Sequence, residues 1–321
     1  MTAPPNVLVI GAGIIGLTTA VTLAEAGHHV LVRTAEPPQN TTSAVAGALW
    51  GPWMVEPRDR VLPWASQTLD VLRDLAAEPD TGVRLATVRE VARADHPSPD
   101  WVHLLTDRKP CAPHELPAGY SFGHSYRAPL VDMPAHLDYL LTRLRAAGVE
   151  LESGRIASLA DAAEQARLVV NCAGMGARSL TGDDQLRPVQ GHHLVVSNPG
   201  LTDVLEADTG SSPDLIAIYP HGDHVVLGGT AYEDAWDRTS DAAVAEAIFT
   251  RCLHLEPRLR GAEFLAHSVG LRPTRPSIRI EPERLPGGST VIHNYGHGGA
   301  GVSVAWGCAA TVAFLAAASN R

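Results

Sequence analysis

Apolar positions arrive in short blocks whose spacing changes along the chain. Val7 to Ile10 form an unbroken apolar run that stops at Gly11, and Leu17, Ala20, Val21, Leu23 and Ala24 then recur at helical spacing until Gly27. Val30 to Val32 supply the next run, so the opening reads as strand, tight turn, helix, strand. Between Leu49 and Val131 this rhythm is lost. Residues 62–76 read as a helix with Leu69, Leu72 and Leu75 inward, but Pro97, Pro99, Pro110, Pro113 and Pro117 predict a loop-rich excursion. A second helix begins at Asp132, with Pro134 in its first turn and Leu137, Leu140, Leu141 and Leu144 on its buried face, and it ends at Gly148. Residues 168–171 then form a buried strand meeting a glycine turn, the pattern of an element that returns to a parallel sheet. His193 to Val196, Leu215 to Tyr219 and Val225 to Leu227 read as antiparallel strands with a turn over 221–223, and 241–254 as a helix closed by Pro257. A strand over 291–295 and a helix over 302–317 follow. Sheet, excursion and sheet again predict an α/β fold of interleaved domains.

Composition narrows the partners. The 321 residues carry a formal net charge of −10, the wrong sign for nucleic acid or an anionic membrane, so neither is expected as a partner. Cys111, Cys172, Cys252 and Cys308 lie far apart with no CxxC pair, which points to reduced thiols rather than a zinc site or a disulfide framework. No run approaches the roughly 18 apolar residues of a membrane span, and Ser319-Asn320-Arg321 is no peroxisomal tripeptide. A soluble, cytoplasmic protein is expected, and a homodimer is compatible with the pattern.

Gly11-Ala12-Gly13-Ile14-Ile15-Gly16 is a complete GxGxxG between a strand and a helix, where backbone amides can approach a pyrophosphate and the helix N-terminus favours its charge. Glu36, twenty residues beyond Gly16, stands where an acidic side chain takes ribose hydroxyls, with Arg33 or Thr34 as alternatives. This fingerprint alone does not separate FAD from NAD. A second one narrows the choice: Gly296, Gly298, Gly299 and Gly301 form a backbone able to approach a ligand closely, and a helix starts beside them at Val302. Such an N-terminus would stabilise an anionic reduced flavin, a need that nicotinamide enzymes lack. His293 and His297 share a metal-compatible spacing only on a helix, and the glycines around them argue against one, so no metal is expected. His192 and His193 alternate across a strand, one buried and one wet, and Arg275 reads as a salt-bridging support of its loop.

The segments VLVIGAGIIGLTTA, TTSAVAGALW, VVNCAGMGA, LRPTRPSIRIE and VIHNYGHGGAGVSVAWGCA stand in the order and approximate spacing of the D-amino-acid oxidase family, which this chain resembles over nearly its whole length. The resemblance implies an FAD-dependent oxidase with a Rossmann-like FAD-binding domain (1–48, 140–190 and 265–321) interleaved with an antiparallel-sheet substrate domain (49–139 and 191–264). It implies that Arg272 forks onto the substrate α-carboxylate and that the Gly299 carbonyl receives the amine. Thr42 and Ser43 would help hold the pyrophosphate, Ala48 and Leu49 would offer main-chain groups to the isoalloxazine, and Arg279 would lie near the flavin. The implied reaction turns a D-amino acid and molecular oxygen into a 2-oxo acid, ammonia and hydrogen peroxide by hydride transfer from Cα to flavin N5.

The chain departs from that pattern at Gly51, where a glutamine is usual, and at Ala217, where a tyrosine is usual. Tyr219, two residues on and so on the same strand face, or Tyr232 after the next strand, could supply a hydroxyl instead. A roomier pocket lined by Trp53 is expected. These departures leave open a related amine oxidase acting on glycine, a secondary amine or a biosynthetic intermediate. A catalytically silent flavin-binding protein is the alternative from another class, and an NAD dehydrogenase the third.

Overall fold

Fourteen strands hydrogen-bond into one sheet in the computed structural model, which describes residues 5–95 and 97–319. The strands are β1 (Val7–Ile10), β2 (Val30–Thr34), β3 (Val83–Ala92), β4 (Lys109–Pro110), β5 (Phe122–Val131), β6 (Glu150–Ser153) and β7 (Leu168–Asn171). They continue with β8 (Arg187–Ser197), β9 (Val204–Ala207), β10 (Asp214–His221), β11 (His224–Thr230), β12 (Tyr232–Glu233), β13 (Phe264–Arg284) and β14 (Thr290–His297). The helices are α1 (Ile14–Glu25), α2 (Arg58–Leu75), α3 (Met133–Ala146), α4 (Leu159–Ala163), α5 (Ala177–Thr181), α6 (Ala242–Leu255) and α7 (Gly301–Ser319).

The sheet runs β4-β5-β3-β9-β10-β11-β8-β13-β14-β7-β1-β2-β6, with β12 added beside β8. From β14 to β6 every pairing is parallel. All residues of β1 and β7 are buried, as strands covered on both faces must be. Val7, Val9 and Val170 face the principal core with α1, α2, α3 and α7, while Leu8, Ile10 and Val169 face a smaller cluster with Leu159 and Ala162 of α4. The other strands pair antiparallel except β3 with β9, and α6 packs Ile248, Cys252 and Leu255 on their outer side in a further core. The 21-residue β13 joins the two regions: Phe264 to Thr274 pair with β8, Arg279 to Arg284 pair with β14, and the register shifts between Thr274 and Arg279, where Pro276 lacks an amide.

Most expected elements form, with three differences. The excursion is not mainly loop: β3 and β5 pair over their full ten-residue lengths, from Val83↔Val131 to Ala92↔Phe122. Arg84, Arg89 and Glu90 interrupt apolar alternation in one strand and Pro129 sits in the other, so neither strand carries a clean period-two signal. The helix expected over 62–76 begins one turn earlier, at Arg58, and carries Pro63 as its sixth residue, where the missing amide forgoes the bond to the Asp59 carbonyl. The absence of a span-like segment is also overturned: α7 is 19 residues long with a mean hydropathy of 1.7, enough to cross a membrane by length and composition. Half of it is buried against the fold, and it packs between α1 and α2 as the core helix of the parallel region.

Arg275 supports its loop as expected, with Nε 2.7 Å from Asp183. His192 is buried with Nδ1 3.0 Å from His267 Nε2, whereas His193 is half-buried on the opposite face. Cys172, Cys252 and Cys308 are buried free thiols and Cys111 is half-buried. In the C-terminal tripeptide, Asn320 and Arg321 lie outside the described residues.

Candidate active site

A cleft of about 1710 Å³ runs from the carboxyl ends of β1, β2 and β7 to the inner face of the antiparallel strands. That is larger than the roughly 300–1,000 Å³ of a pocket for one drug-sized ligand, and suits a dinucleotide together with a small substrate.

The dinucleotide end is built from two helix N-termini. A side chain built on Gly301, the first residue of α7, would place its Cβ 3.7 Å from Ile14 Cγ2, the first residue of α1, so both sets of first-turn amides open into one space. Gly11, Gly13, Ile14 and Ile15 line it from α1, and Gly298, Gly299, Gly301 and Val302 from α7. Gly16 does not line it: a Cβ there would lie 1.9 Å from the Gly11 carbonyl oxygen, so this glycine serves the packing of helix on strand. Ser43 Oγ accepts the Ile14 amide at 2.9 Å, capping α1 from a distant segment, and Thr42 Oγ1 donates to the Leu271 carbonyl at 3.1 Å. Arg33, Thr34 and Glu36 line the far end. Arg33 pairs with Glu152, the Thr34 hydroxyl donates to the Glu36 carbonyl, and the Glu36 carboxylate receives Arg238 at 3.2 Å. These residues fit a flavin adenine dinucleotide: a glycine-lined turn and two positive helix ends for the pyrophosphate and ring, and a carboxylate for the ribose.

Ala48 and Leu49 line the middle of the cleft. Ala48 sits at φ 56°, its carbonyl accepts the Val131 amide at 3.0 Å, and Leu49 bridges to Leu130, so β5 pins this segment open towards the cavity. Gly51 donates its amide to Ser303 Oγ at 3.0 Å, and the indole of Trp101 occupies the space beyond it.

Arg272 dominates the substrate end. Its Nη1 donates to the Thr230 carbonyl at 2.9 Å, its guanidinium lies 5.5 Å from the Trp53 ring, and it has no carboxylate partner among the described residues. Burial lowers its pKa to about 10, with Tyr219 working in the opposite direction, so the group stays charged at neutral pH. Gly191 makes room for it, because a Cβ there would lie 2.6 Å from Nη1. Gly299 packs under Trp53, with Cε3 2.6 Å from its would-be Cβ. Tyr219 and Tyr232 both line the cleft, donating to Glu206 Oε1 at 2.5 Å and to Asp214 Oδ1 at 3.0 Å. His193 donates from Nδ1 to the Val45 carbonyl at 2.8 Å, and burial together with Arg272 lowers its pKa to about 4, so the ring is neutral. His297, buried and bonded to Asn294 at 3.1 Å, is pushed down to about 3.

Two further expectations fail on geometry. Arg279 is turned away from the cleft and engages Glu281 at 2.7 Å, Glu283 at 3.1 Å and the Tyr295 hydroxyl at 3.0 Å. It follows the register shift of β13, which turns this part of the strand towards β14. Gly296, at φ 86°, packs against Arg275 rather than lining the cleft. Conversely, sequence reasoning missed Gly191, Arg238, Trp101 and Glu206. For Glu206 the sequence carries a signal: it is a lone acid in the apolar run Val204-Leu205-Glu206-Ala207, which forms β9.

Comparison with known proteins agrees with this geometry. A family profile described as DAO, FAD dependent oxidoreductase, matches residues 6–315. A D-amino-acid oxidase of Rubrobacter xylanophilus is 48% identical over 313 residues, covering 97% of this chain and 96% of that protein. One of Streptomyces coelicolor is 46% identical over 313 residues with the same coverage. Among solved structures, glycine oxidase from Geobacillus kaustophilus superposes with a TM-score of 0.82 at 19% identity, covering 99% of this chain and 95% of that one, a likeness of fold.

Proposed function

The chain belongs to the FAD dependent oxidoreductase family, and from that membership we propose that it is a D-amino-acid oxidase in which Arg272 and Gly299 position the substrate. A D-amino acid, oxygen and water become a 2-oxo acid, ammonia and hydrogen peroxide. FAD, held by the Gly11–Gly13 turn, the N-termini of α1 and α7, Ser43 and Glu36, would supply the two-electron redox chemistry between the substrate and oxygen. The chain supplies orientation. Arg272 offers a planar fork to the α-carboxylate, and the observation that carries this reading is that its guanidinium stands charged in the cleft without an acidic partner among the described residues. The Gly299 carbonyl, beside the N-terminus of α7, accepts from the amine. His193 and His297 are held neutral, so neither repels a protonated amine on arrival. Trp53 covers both Gly299 and Arg272 and limits water at the reacting carbon.

The reading extends to a cytoplasmic protein and to a homodimer, which light scattering checks, and to one without nucleic-acid or anionic-membrane partners, for which the −10 charge has the wrong sign. Its test is peroxide release by purified, flavin-loaded protein across paired D- and L-amino acids, glycine and sarcosine. Turnover confined to D-amino acids is expected. Equal turnover of L-amino acids, or a preference for glycine or sarcosine, defeats it.

A further inference from the structure

Ala217 does more than remove a hydroxyl; it opens a way to a carboxyl group. Strand register sets Glu90, Glu206, Ala217, Gly228 and His193 side by side across β3, β9, β10, β11 and β8, so all five share the face that lines the cleft. Arg272 reaches over β8 to the end of β11, where it bonds to Thr230. From there the floor is Gly228 and then Ala217, the two smallest steps a sheet can offer, and at its end stands Glu206. Two strand spacings separate the guanidinium from that carboxyl, roughly 10 Å. A lysine or arginine side chain on a carboxylate-anchored substrate spans this interval; that of alanine does not.

We infer that Glu206, oriented by Tyr219, is a specificity-determining residue that favours D-amino acids with long cationic or hydrogen-bond-donating side chains and disfavours acidic ones. This rests on the D-amino-acid oxidase reading. Glu206 accepts the Tyr219 hydroxyl at 2.5 Å, and Gly47 leaves room for that ring, since a Cβ there would fall 2.4 Å from it. No basic side chain pairs with Glu206 among the described residues. The groups facing it are Glu90 from β3, Tyr126 from β5 and Tyr219 from β10, with Arg272 beyond Tyr219. A substrate ammonium or guanidinium would bring the missing positive charge, and a substrate carboxylate would add a further negative one. Burial, with Glu90 adding to it, raises the Glu206 pKa to about 7, so the preference for a cation should grow as pH rises through that value.

The test compares kcat/KM for D-arginine, D-lysine and D-glutamate, each divided by that for D-alanine, in the flavin-loaded wild type, Glu206→Gln and Ala217→Tyr, between pH 6 and 9. In the wild type the basic-to-acidic ratio should exceed one and rise through pH 7. Glu206→Gln should lower that ratio by about tenfold or more and flatten its pH dependence. Ala217→Tyr, which closes the floor, should cut the D-arginine to D-alanine ratio by a similar factor. An unmoved ratio in both variants, or a wild type that prefers D-glutamate, overturns the inference while leaving the oxidase reading intact. If no D-amino acid at all is turned over by the wild type, it is the oxidase reading that has failed. Should Glu206→Gln lose its flavin, Ala217→Tyr carries the test alone.

Discussion

At the scale of single residues, the site depends on space left for a charged group as much as on the group itself. Arg272→Ala should retain the flavin spectrum while raising KM for D-amino acids by about 10²-fold or more, since losing one partner of a desolvated charge pair costs about 2–5 kcal/mol. Arg272→Lys should recover only part of this, because an ammonium cannot match both carboxylate oxygens. Gly191→Ala is the subtler case. Its new methyl would sit 2.6 Å from the guanidinium, so the arginine must move although nothing charged has been removed. A KM raised about tenfold with unchanged flavin content is expected, and kinetics indistinguishable from wild type would show that the fork position is not critical.

At the scale of elements, the decisive unit is a helix capped from outside itself. Gly13 offers α1 no side-chain cap, and Ser43 supplies one across the chain. Ser43→Ala should cost about 1 kcal/mol in that bond, weakening FAD affinity severalfold with little change in KM once FAD saturates the protein. Fluorescence titration of the apoprotein measures it. The neighbouring element β13 shows how a strand can serve two roles: before its register shift it delivers Arg272 to the cleft, and after it Arg279 is spent on Glu281, Glu283 and Tyr295. Arg279→Ala should therefore destabilise the protein, lowering Tm, rather than alter KM.

At the scale of the whole molecule, buried histidines set the acid limit. His193 and His221 are lowered to about 4 and His297 to about 3, each mainly by burial, from an ordinary value of 6.5. The unfolded chain therefore binds more protons than the folded one between those values, and stability falls as pH drops from 6.5 towards 4. Glu206, raised to about 7 from 4.5, works in the opposite direction, favouring the folded state at lower pH through its own window. Three groups outweigh one, so Tm at pH 5 should lie several degrees below that at pH 7.5 by calorimetry. An equal or higher Tm at pH 5 would contradict this balance. Glu206→Gln should in turn raise Tm most above pH 7, where the native carboxylate is charged.

What the sequence alone determined is what local spacing encodes: the strand-turn-helix starts at Gly11 and Gly301, the parallel strands with their unbroken apolar runs, and the order of motifs that carries the family resemblance. Each follows from neighbours within a few residues, where backbone sterics and helical or strand period act. Tertiary structure decided the rest. Which face β13 presents on either side of its register shift, which glycine yields to Arg272, and whether Glu206 meets Tyr219 depend on strand registers between segments far apart in the chain. A single-residue slip in register exchanges the two faces of a strand, and no local pattern around Arg279 or Glu206 records which register its partner strand imposes.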